Sequence, residues 1–391
     1  MLLTSQPTGR IHSFQLPKKI LFGVKSSENV GLEAKALGGK TAFLVTDKNL
    51  EKTGVPAKIE GSLVSQGFEV EIFDEVEPEP VLEVAENVAS TARRKKYDTI
   101  IGVGGGSVLD MAKVAAMASK NPGPMRNYVG VDLVKNPGVP SILLPTTSGT
   151  GSEVTNVAVL TIAEDELKTS IISPHLFCNV AIVDPSLTYS LPPRLTASTG
   201  MDALSHALEA LISVNANSIT DSLAFEAIKL IFVNLPKAYK SSDPESREGM
   251  SLGSLIAGMS FGNAGVCLGH AAAYTFAVSH KVSHGTSCGL VLPYVFRFCA
   301  SAIPWKLPRI AEAVGIETES LGIEETGLAI SEAILGLMDK LQMPKRLRDL
   351  NIPQRDLPKL AEKLLTFSRL IKRTPKPLSQ PDAVNLFETM W

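Results

Sequence analysis

In the first half of the chain, short apolar runs alternate with longer stretches whose apolar residues recur every three or four positions. The short runs are TAFLVTD (41–47), FEVEIFD (68–74), YDTIIGVGGG (97–106), SILLPTT (141–147) and NVAIVDP (179–185). They are rich in β-branched or aliphatic residues and close at Gly, Pro, Asp or Thr, as strands do. Between them, VLEVAENVASTARRKK (81–96) sets Val81, Val84, Ala85 and Val88 on one helical face, and VLDMAKVAAMASK (108–120) follows the same period. Strands alternating with helices predict a parallel sheet covered by helices. KKILFG (18–23) predicts an added sheet edge or a hairpin.

Near residue 190 the pattern changes. LPPRLTASTG (191–200) is a junction marked by Pro and Gly. Beyond it the long segments are helical: MDALSHALEALIS, SITDSLAFEAIKLIFVNLPKAY, GMSLGSLIAGMSFGNAG, GLAISEAILGLMDKLQ and LPKLAEKLLTFSRLI. The expected layout is an α/β domain of nucleotide-binding type over 1–190 and an all-helical domain over 191–391. Residues 249–280 carry no Asp, Glu, Lys or Arg, and length alone would let them span a bilayer. Their glycines, serines, Asn263 and two histidines predict a buried helix pair carrying a site instead.

Composition narrows the class. With 391 residues, 44% hydrophobic and 20% charged, the chain can bury a large core and is not disordered. A net charge of −2 offers no basic surface for nucleic acid or an anionic membrane. Cys178, Cys267, Cys288 and Cys299 form no CxxC pair, so they are expected as small buried hydrophobes in a reducing cytoplasm. The opening residues lack the apolar core of a signal peptide.

Two loops follow strands and invite a polar ligand. GVGGGSVLDMAK (102–113) leads from a strand into a helix, where glycines allow close approach and free amides suit a phosphate. Counted from Gly102, the third glycine of GxGxxG is Ser107, so the strict dinucleotide motif fails. PTTSGTGSEVT (145–155) sets Thr146, Thr147, Ser148, Thr150 and Ser152 among two glycines. Either loop alone is equally a tight turn; two of them after neighbouring strands match ligand binding at strand carboxyl ends. Asp47 ends its strand either as a ribose ligand or as a helix cap.

Three of the six histidines crowd into GVCLGHAAAYTFAVSHKVSHG (265–285). A helix through 249–273 would place His270 near its end, and a turn would bring His284 back to it. GMDALSHALEA (200–210) sets Asp202 and His206 one helical turn apart. That pair alone is also what a cap and a core histidine would look like. Taken together, Asp202, His206, His270 and His284 make a carboxylate and three imidazoles, a set suited to Fe(II) or Zn(II). Without thiolates among them, the ion would act as a Lewis acid. His12 and His175 read as structural; His280 reads as surface or packing, with a pocket role as the lesser alternative.

In order along the chain, GGGSVLDMAK, PTTSGTGSEVT, VAIVDPSLT, GMDALSHALEA and the segment from His270 to Ser283-His284-Gly285 resemble the signatures of the iron-containing (group III) alcohol dehydrogenases. The resemblance covers nearly the whole chain. It implies the same two-domain architecture, shared with dehydroquinate synthase. It implies a divalent metal, Fe2+ before Zn2+, held by Asp202, His206, His270 and His284. It also implies NAD, with NADP as the alternative, contacted by Gly104, Gly105, Gly106, Ser107 and Asp110 at the pyrophosphate. Thr146, Thr147, Thr150 and Lys168 would lie near the nicotinamide, and Asp47 would favour NAD. The implied reaction is hydride transfer between a metal-bound primary alcohol or aldehyde and the nicotinamide, in a cytoplasmic homodimer or larger homo-oligomer.

One position departs from the pattern. Many relatives carry a second His one turn after the first, as HAxAH; here the stretch reads HAAAY, with Tyr274 in place. A phenol can donate to a substrate oxygen, but its ordinary pKa near 10 makes it a slow base at neutral pH. Tyr274 is therefore expected in the substrate pocket or proton relay, with His280 as a weaker candidate. AGVCLGHAAAY also resembles the hydroxyacid–oxoacid transhydrogenases, which keep their nicotinamide bound and leave that activity as an alternative. No arginine flanks the ligand motifs, which favours neutral alcohols over acids. A dehydroquinate synthase-like lyase fits the motifs less well, and a non-catalytic binding protein would not need the full ligand set.

Overall fold

The structure, a computed structural model, describes residues 10–165 and 167–391. It divides into two compact units, Leu16–Leu191 and Pro192–Trp391, the second joined by residues 10–15. Gln15 is tied to the helical unit: its N–H donates to Asn263 Oδ1 at 2.7 Å, and Asn263 Nδ2 donates back to Gln15 O at 3.1 Å.

The α/β unit is built on a six-stranded, wholly parallel sheet in the order β1-β9-β6-β4-β2-β3. Its strands are β1 (Lys19–Phe22), β2 (Thr41–Val45), β3 (Glu69–Phe73), β4 (Thr99–Gly104), β6 (Ser141–Pro145) and β9 (Val180–Val183). Central β4 and β6 are buried along their whole length, as helices on both faces require. KKILFG forms an edge strand, β1, paired in parallel with β9. Gly102 lets the Gly106–Ala118 helix rest directly on β4, since a Cβ there would lie 2.7 Å from Ala112 Cβ.

Topology selects one end of this sheet for binding. Neighbouring strands β2 and β4 continue in opposite directions, β2 to the outer β3 and β4 to β6. That divergence opens a crevice at their carboxyl ends. Val45 lies level with Gly102, and Gly104 with Pro145. Asp47, Gly104–Ser107 and Thr146–Thr150 therefore share one rim.

A second sheet, in the order β5-β8-β7, joins Gly130–Val131, Leu167–Ile172 and Val157–Ile162. Strands β7 and β8 are antiparallel and in register from Val157↔Ile172 to Ile162↔Leu167. The apolar pattern does not announce this pair. The connecting Ala-Glu-Asp stretch lacks the Gly or Asn-Gly signal of a tight hairpin.

No strand follows β9 among the described residues. The Pro193–Ile212 helix runs through the middle of the helical unit, buried without a break from Gly200 to Ile212. It packs with the Ser218–Lys240, Pro244–Ala264 and His284–Cys299 helices around Leu204, Leu208, Ile228, Ile231, Val295 and Phe296. A continuous helix from 249 to 273 does not form. It breaks at Gly265 (φ 79°), and the chain resumes as the Leu268–Ala277 helix after a 103° bend. Positive φ suits Gly, and a Cβ there would also lie 2.5 Å from Arg373 Nη1. His270 thus sits at the start of a helix, not at the end of one. No single helix among the described residues is long and apolar enough to cross a membrane.

Beside the hydroxyl-rich loop, Glu153 is buried, and burial pushes its carboxyl up to about 7 from 4.5. Folding therefore takes up a proton. The associated stability is complete below about 4.5 and lost as pH rises through about 7. Glu153→Gln removes this loss. Thermal melts from pH 5 to 8 should show the variant gaining on the parent chain with rising pH, to on the order of 2–3 kcal/mol. Parallel melting curves across that range would contradict the assignment.

Candidate metal centre and nucleotide loops

Three helices of the helical unit bring donors to one point. Asp202, His206 and Glu209 share a face of the Pro193–Ile212 helix at i, i+4 and i+7. His270 comes from the start of the Leu268–Ala277 helix, and His284 is the first residue of the His284–Cys299 helix. The bend at Gly265 and the turn before His284 are what let the last two converge.

The Nε2 atoms of His206, His270 and His284 lie 4.0, 3.9 and 3.5 Å from Asp202 Oδ1, and those of His206 and His270 are 3.1 Å apart. Donors holding one ion at about 2.0–2.2 Å keep roughly such separations. Asp202 is buried, and its Oδ1 has no hydrogen-bond partner. A buried carboxylate oxygen in that state is costly unless something positive faces it. Burial works to raise the Asp202 carboxyl, yet the charges of His206, His284 and His270, with a contact from Cys288, hold it below the ordinary range. The donor chemistry and the orphaned oxygen both fit a divalent ion.

Glu209 orients the set. It is completely buried and binds His270 Nδ1. It also accepts from the backbone N–H groups of Cys267, Gly269 and His270 at the open start of the helix. An imidazole that donates from Nδ1 turns its Nε2 lone pair the other way, here toward Asp202 and His206. Burial opposes its ionisation, but His270 and these N–H groups hold the Glu209 carboxyl below its usual value. Glu209 lies on the same helical stripe as Asp202 and His206, a spacing visible in the sequence that the motif alone does not single out. Phe261 stacks on His206 with ring centres 3.9 Å apart, closing that side.

Tyr274 packs its ring 5.6 Å from His284 and 6.0 Å from His270, with Phe367 at 5.8 Å. Burial, then the nearby Cys288 and Asp202, raise its phenol well above the usual range, while Arg369 works the other way. At neutral pH the phenol stays protonated and can donate. Arg369, distant in sequence from every ligand motif, is thus a cation near the pocket that the motifs did not reveal. His280 does not join the cluster: its Nε2 faces Asp356 Oδ2 at 3.4 Å and its Nδ1 meets Ser279 Oγ at 3.0 Å. A half-exposed acid elsewhere engages its ring, in keeping with a surface or packing role.

In the α/β unit the two loops meet. A Cβ on Gly105 would touch Thr147 Cγ2 at 3.5 Å, and one on Gly106 would strike Thr150 Cγ2 at 2.5 Å. Thr146 N–H donates to Gly104 O at 3.0 Å. Ser107 Oγ accepts from Glu79 N at 3.2 Å, and Lys168 Nζ pairs with Glu79 Oε2 at 3.2 Å. Asp110 faces inward: it accepts from Ser152 Oγ, from Val159 N at 2.9 Å and from Lys113 Nζ at 3.1 Å. Its carboxylate fastens the glycine loop to the hydroxyl loop. Asp47 Oδ1 caps a helical turn through Asn49 N and Leu50 N at 2.9 and 3.0 Å. Such a cap fixes the carboxylate at the rim.

Comparison with known proteins agrees with this geometry. The iron-containing alcohol dehydrogenase family model matches residues 17–185, and the C-terminal model of Fe-containing alcohol dehydrogenases matches residues 196–391. Long-chain-alcohol dehydrogenase 1 of Geobacillus thermodenitrificans is 39% identical over 91% of both chains. The 1,3-propanediol dehydrogenase of Klebsiella pneumoniae is 39% identical over 91% of this chain and 93% of its own. The crystal structure of a 1,3-propanediol oxidoreductase superposes with a TM-score of 0.94 at 36% identity, over 98% of this chain and all of the other. The chain belongs to the iron-containing alcohol dehydrogenase family: it is an oxidoreductase acting on CH–OH groups, with a divalent metal and a nicotinamide cofactor.

The role of Glu209 is open to direct measurement. Glu209→Gln keeps the shape but weakens the hold on His270, and should lower metal affinity by roughly 10–100-fold in chelator competition. Unchanged affinity in a folded variant would leave Glu209 without a part in the centre.

Proposed function

We propose that Asp202, His206, His270 and His284 hold the divalent ion and that the chain interconverts a primary alcohol and its aldehyde with NAD(H). The observation that carries this assignment is the convergence of three imidazole Nε2 atoms within 4.0 Å of one buried, unpartnered carboxylate oxygen. When bound, the ion supplies Lewis acidity toward the substrate oxygen, and the nicotinamide supplies the hydride chemistry.

The chain's own residues do the rest. Glu209 aims His270. Phe261 and Phe367 dry the surroundings of His206 and Tyr274. Tyr274, kept protonated by burial, donates a hydrogen bond to the substrate oxygen in place of the imidazole found in many relatives. Gly104, Gly105, Gly106 and Ser107 cradle the pyrophosphate at the start of the Gly106–Ala118 helix. Asp110 positions that loop. Thr146, Thr147, Thr150 and Lys168 line the nucleotide, and Asp47 sits where an acid disfavours a 2′-phosphate.

Primary alcohols and their aldehydes are favoured over a hydroxyacid–oxoacid exchange because relatives matched over nine-tenths of this chain are named for such substrates. The Bilophila wadsworthia relative, 34% identical over 95% of this chain, is named sulfoacetaldehyde reductase. Together with Arg369 near Tyr274, it brings aldehydes with an anionic tail into the test panel. Cytoplasmic residence belongs to the same proposal and is supported by four buried free thiols. Assembly as a homodimer or larger is expected and is read by light scattering.

Anaerobic turnover with Fe(II) or Zn(II), followed through NADH and NADPH, tests this function. Alcohol-dependent NADH formation should vanish on chelation and return with metal. Turnover that survives complete metal removal would overturn the reading, and a signal only from hydroxyacid–oxoacid pairs without free cofactor would move it to the transhydrogenase. Tyr274→Phe should keep its metal and lose about tenfold in kcat/KM, the worth of one hydrogen bond near 1.4 kcal/mol. An unaltered kcat/KM would remove Tyr274 from the reaction.

A further inference from the structure

The sequence offers four cysteines as ordinary core residues, and three of them are so placed. Cys178 Sγ meets Glu153 O at 3.2 Å, Cys267 lies against Glu209, and Cys299 is packed in the helical core. Cys288 differs. It stands four residues after His284 on the His284–Cys299 helix, on the same face, and is completely buried. Its Sγ is 3.7 Å from both ring nitrogens of His284. One donor atom each from Asp202, His270, His284 and Cys288 lies within 4.8 Å of all the others. The buried Asp202 Oδ1, which has no hydrogen-bond partner, independently marks the same point as a cation position.

We propose that Cys288 is a sulfur donor to the metal centre, so that the ion is held by oxygen, nitrogen and sulfur together. The proposal rests on an ion being held by Asp202 and the histidines. Donors on opposite sides of one ion, with bonds of about 2.0–2.3 Å, stand at most about 4.5 Å apart. The cluster therefore needs closure of only a few tenths of an ångström. Binding through sulfur releases the thiol proton to solvent, and no oxidant is required. A soft donor shifts selectivity: zinc and cobalt gain over iron(II) relative to a site of carboxylate and imidazoles alone.

The test is cobalt(II) loading of the full-length protein under anaerobic conditions, with bound metal counted by elemental analysis. The expected result is one cobalt per chain, visible d–d bands and a near-ultraviolet sulfur-to-cobalt charge-transfer band. Cys288→Ser and Cys288→Ala should keep the d–d bands and lose the charge-transfer band, and zinc should bind about tenfold more weakly to them. X-ray absorption at the cobalt edge of the parent protein, needing no variant, should place one sulfur at about 2.3 Å. Bound cobalt with no charge-transfer band and no sulfur shell would overturn the role of Cys288 while leaving the metal centre intact. Failure to bind cobalt at all would overturn both.

Discussion

The contact on which the metal centre depends is that between Glu209 and His270, both fully enclosed in the helical unit. A buried carboxylate is tolerated only when its oxygens are well supplied with donors. Glu209 finds them at the open end of a helix, in the N–H groups of Cys267, Gly269 and His270, and in the imidazole itself. Removing it would leave those N–H groups unsatisfied and the His270 ring without a fixed tautomer. The contact thus ties two helices together and sets the direction of the His270 ring. Gly269 has to be a glycine for the same reason, because a Cβ there would lie 2.6 Å from Glu209 Oε1.

The α/β unit uses a buried carboxylate in a related way. Asp110 is bonded to Lys113, Ser152 and Val159, so it joins a helix, a loop and a strand that chain order keeps apart. At their closest approach the loops it fastens set the bare backbone of Gly106 against the side chain of Thr150. Rigid support beneath bare backbone is what a phosphate cradle needs, since amides hold a charged group only if they are already aligned. In both units, then, an acid whose ordinary place is the surface is kept inside to hold the groups that work.

Much of this was legible in the chain itself. The parallel sheet followed from short apolar runs alternating with amphipathic ones. The proposed ligands followed from a helical i, i+4 pair and a histidine-rich segment, and the family from the order of five motifs. What was not legible depends on contacts between distant residues. At the 103° bend the Gly265 backbone turns to positive φ with the Arg373 side chain, more than a hundred residues on, close against it, a contact that one glycine in an apolar run does not announce. The β7 and β8 pair has no turn signature. The charge of Arg369 bears on Tyr274 only in the fold. Glu209 and Cys288 were visible as residues at helical spacing from the proposed ligands, but an acid within a motif and a small apolar thiol gave no reason to single them out. His280 shows the converse: proximity in sequence to His284 carried no proximity at the site, because Asp356 takes its ring.

The central claim is that Asp202, His206, His270 and His284 enclose a single divalent ion. Anomalous scattering from crystals of the metal-loaded protein, collected on both sides of the absorption edge of that metal, tests it most directly. The account predicts one strong peak per chain at bonding distance from Asp202 Oδ1 and the three Nε2 atoms. A peak elsewhere, or loaded crystals with no peak among these four side chains, would contradict it.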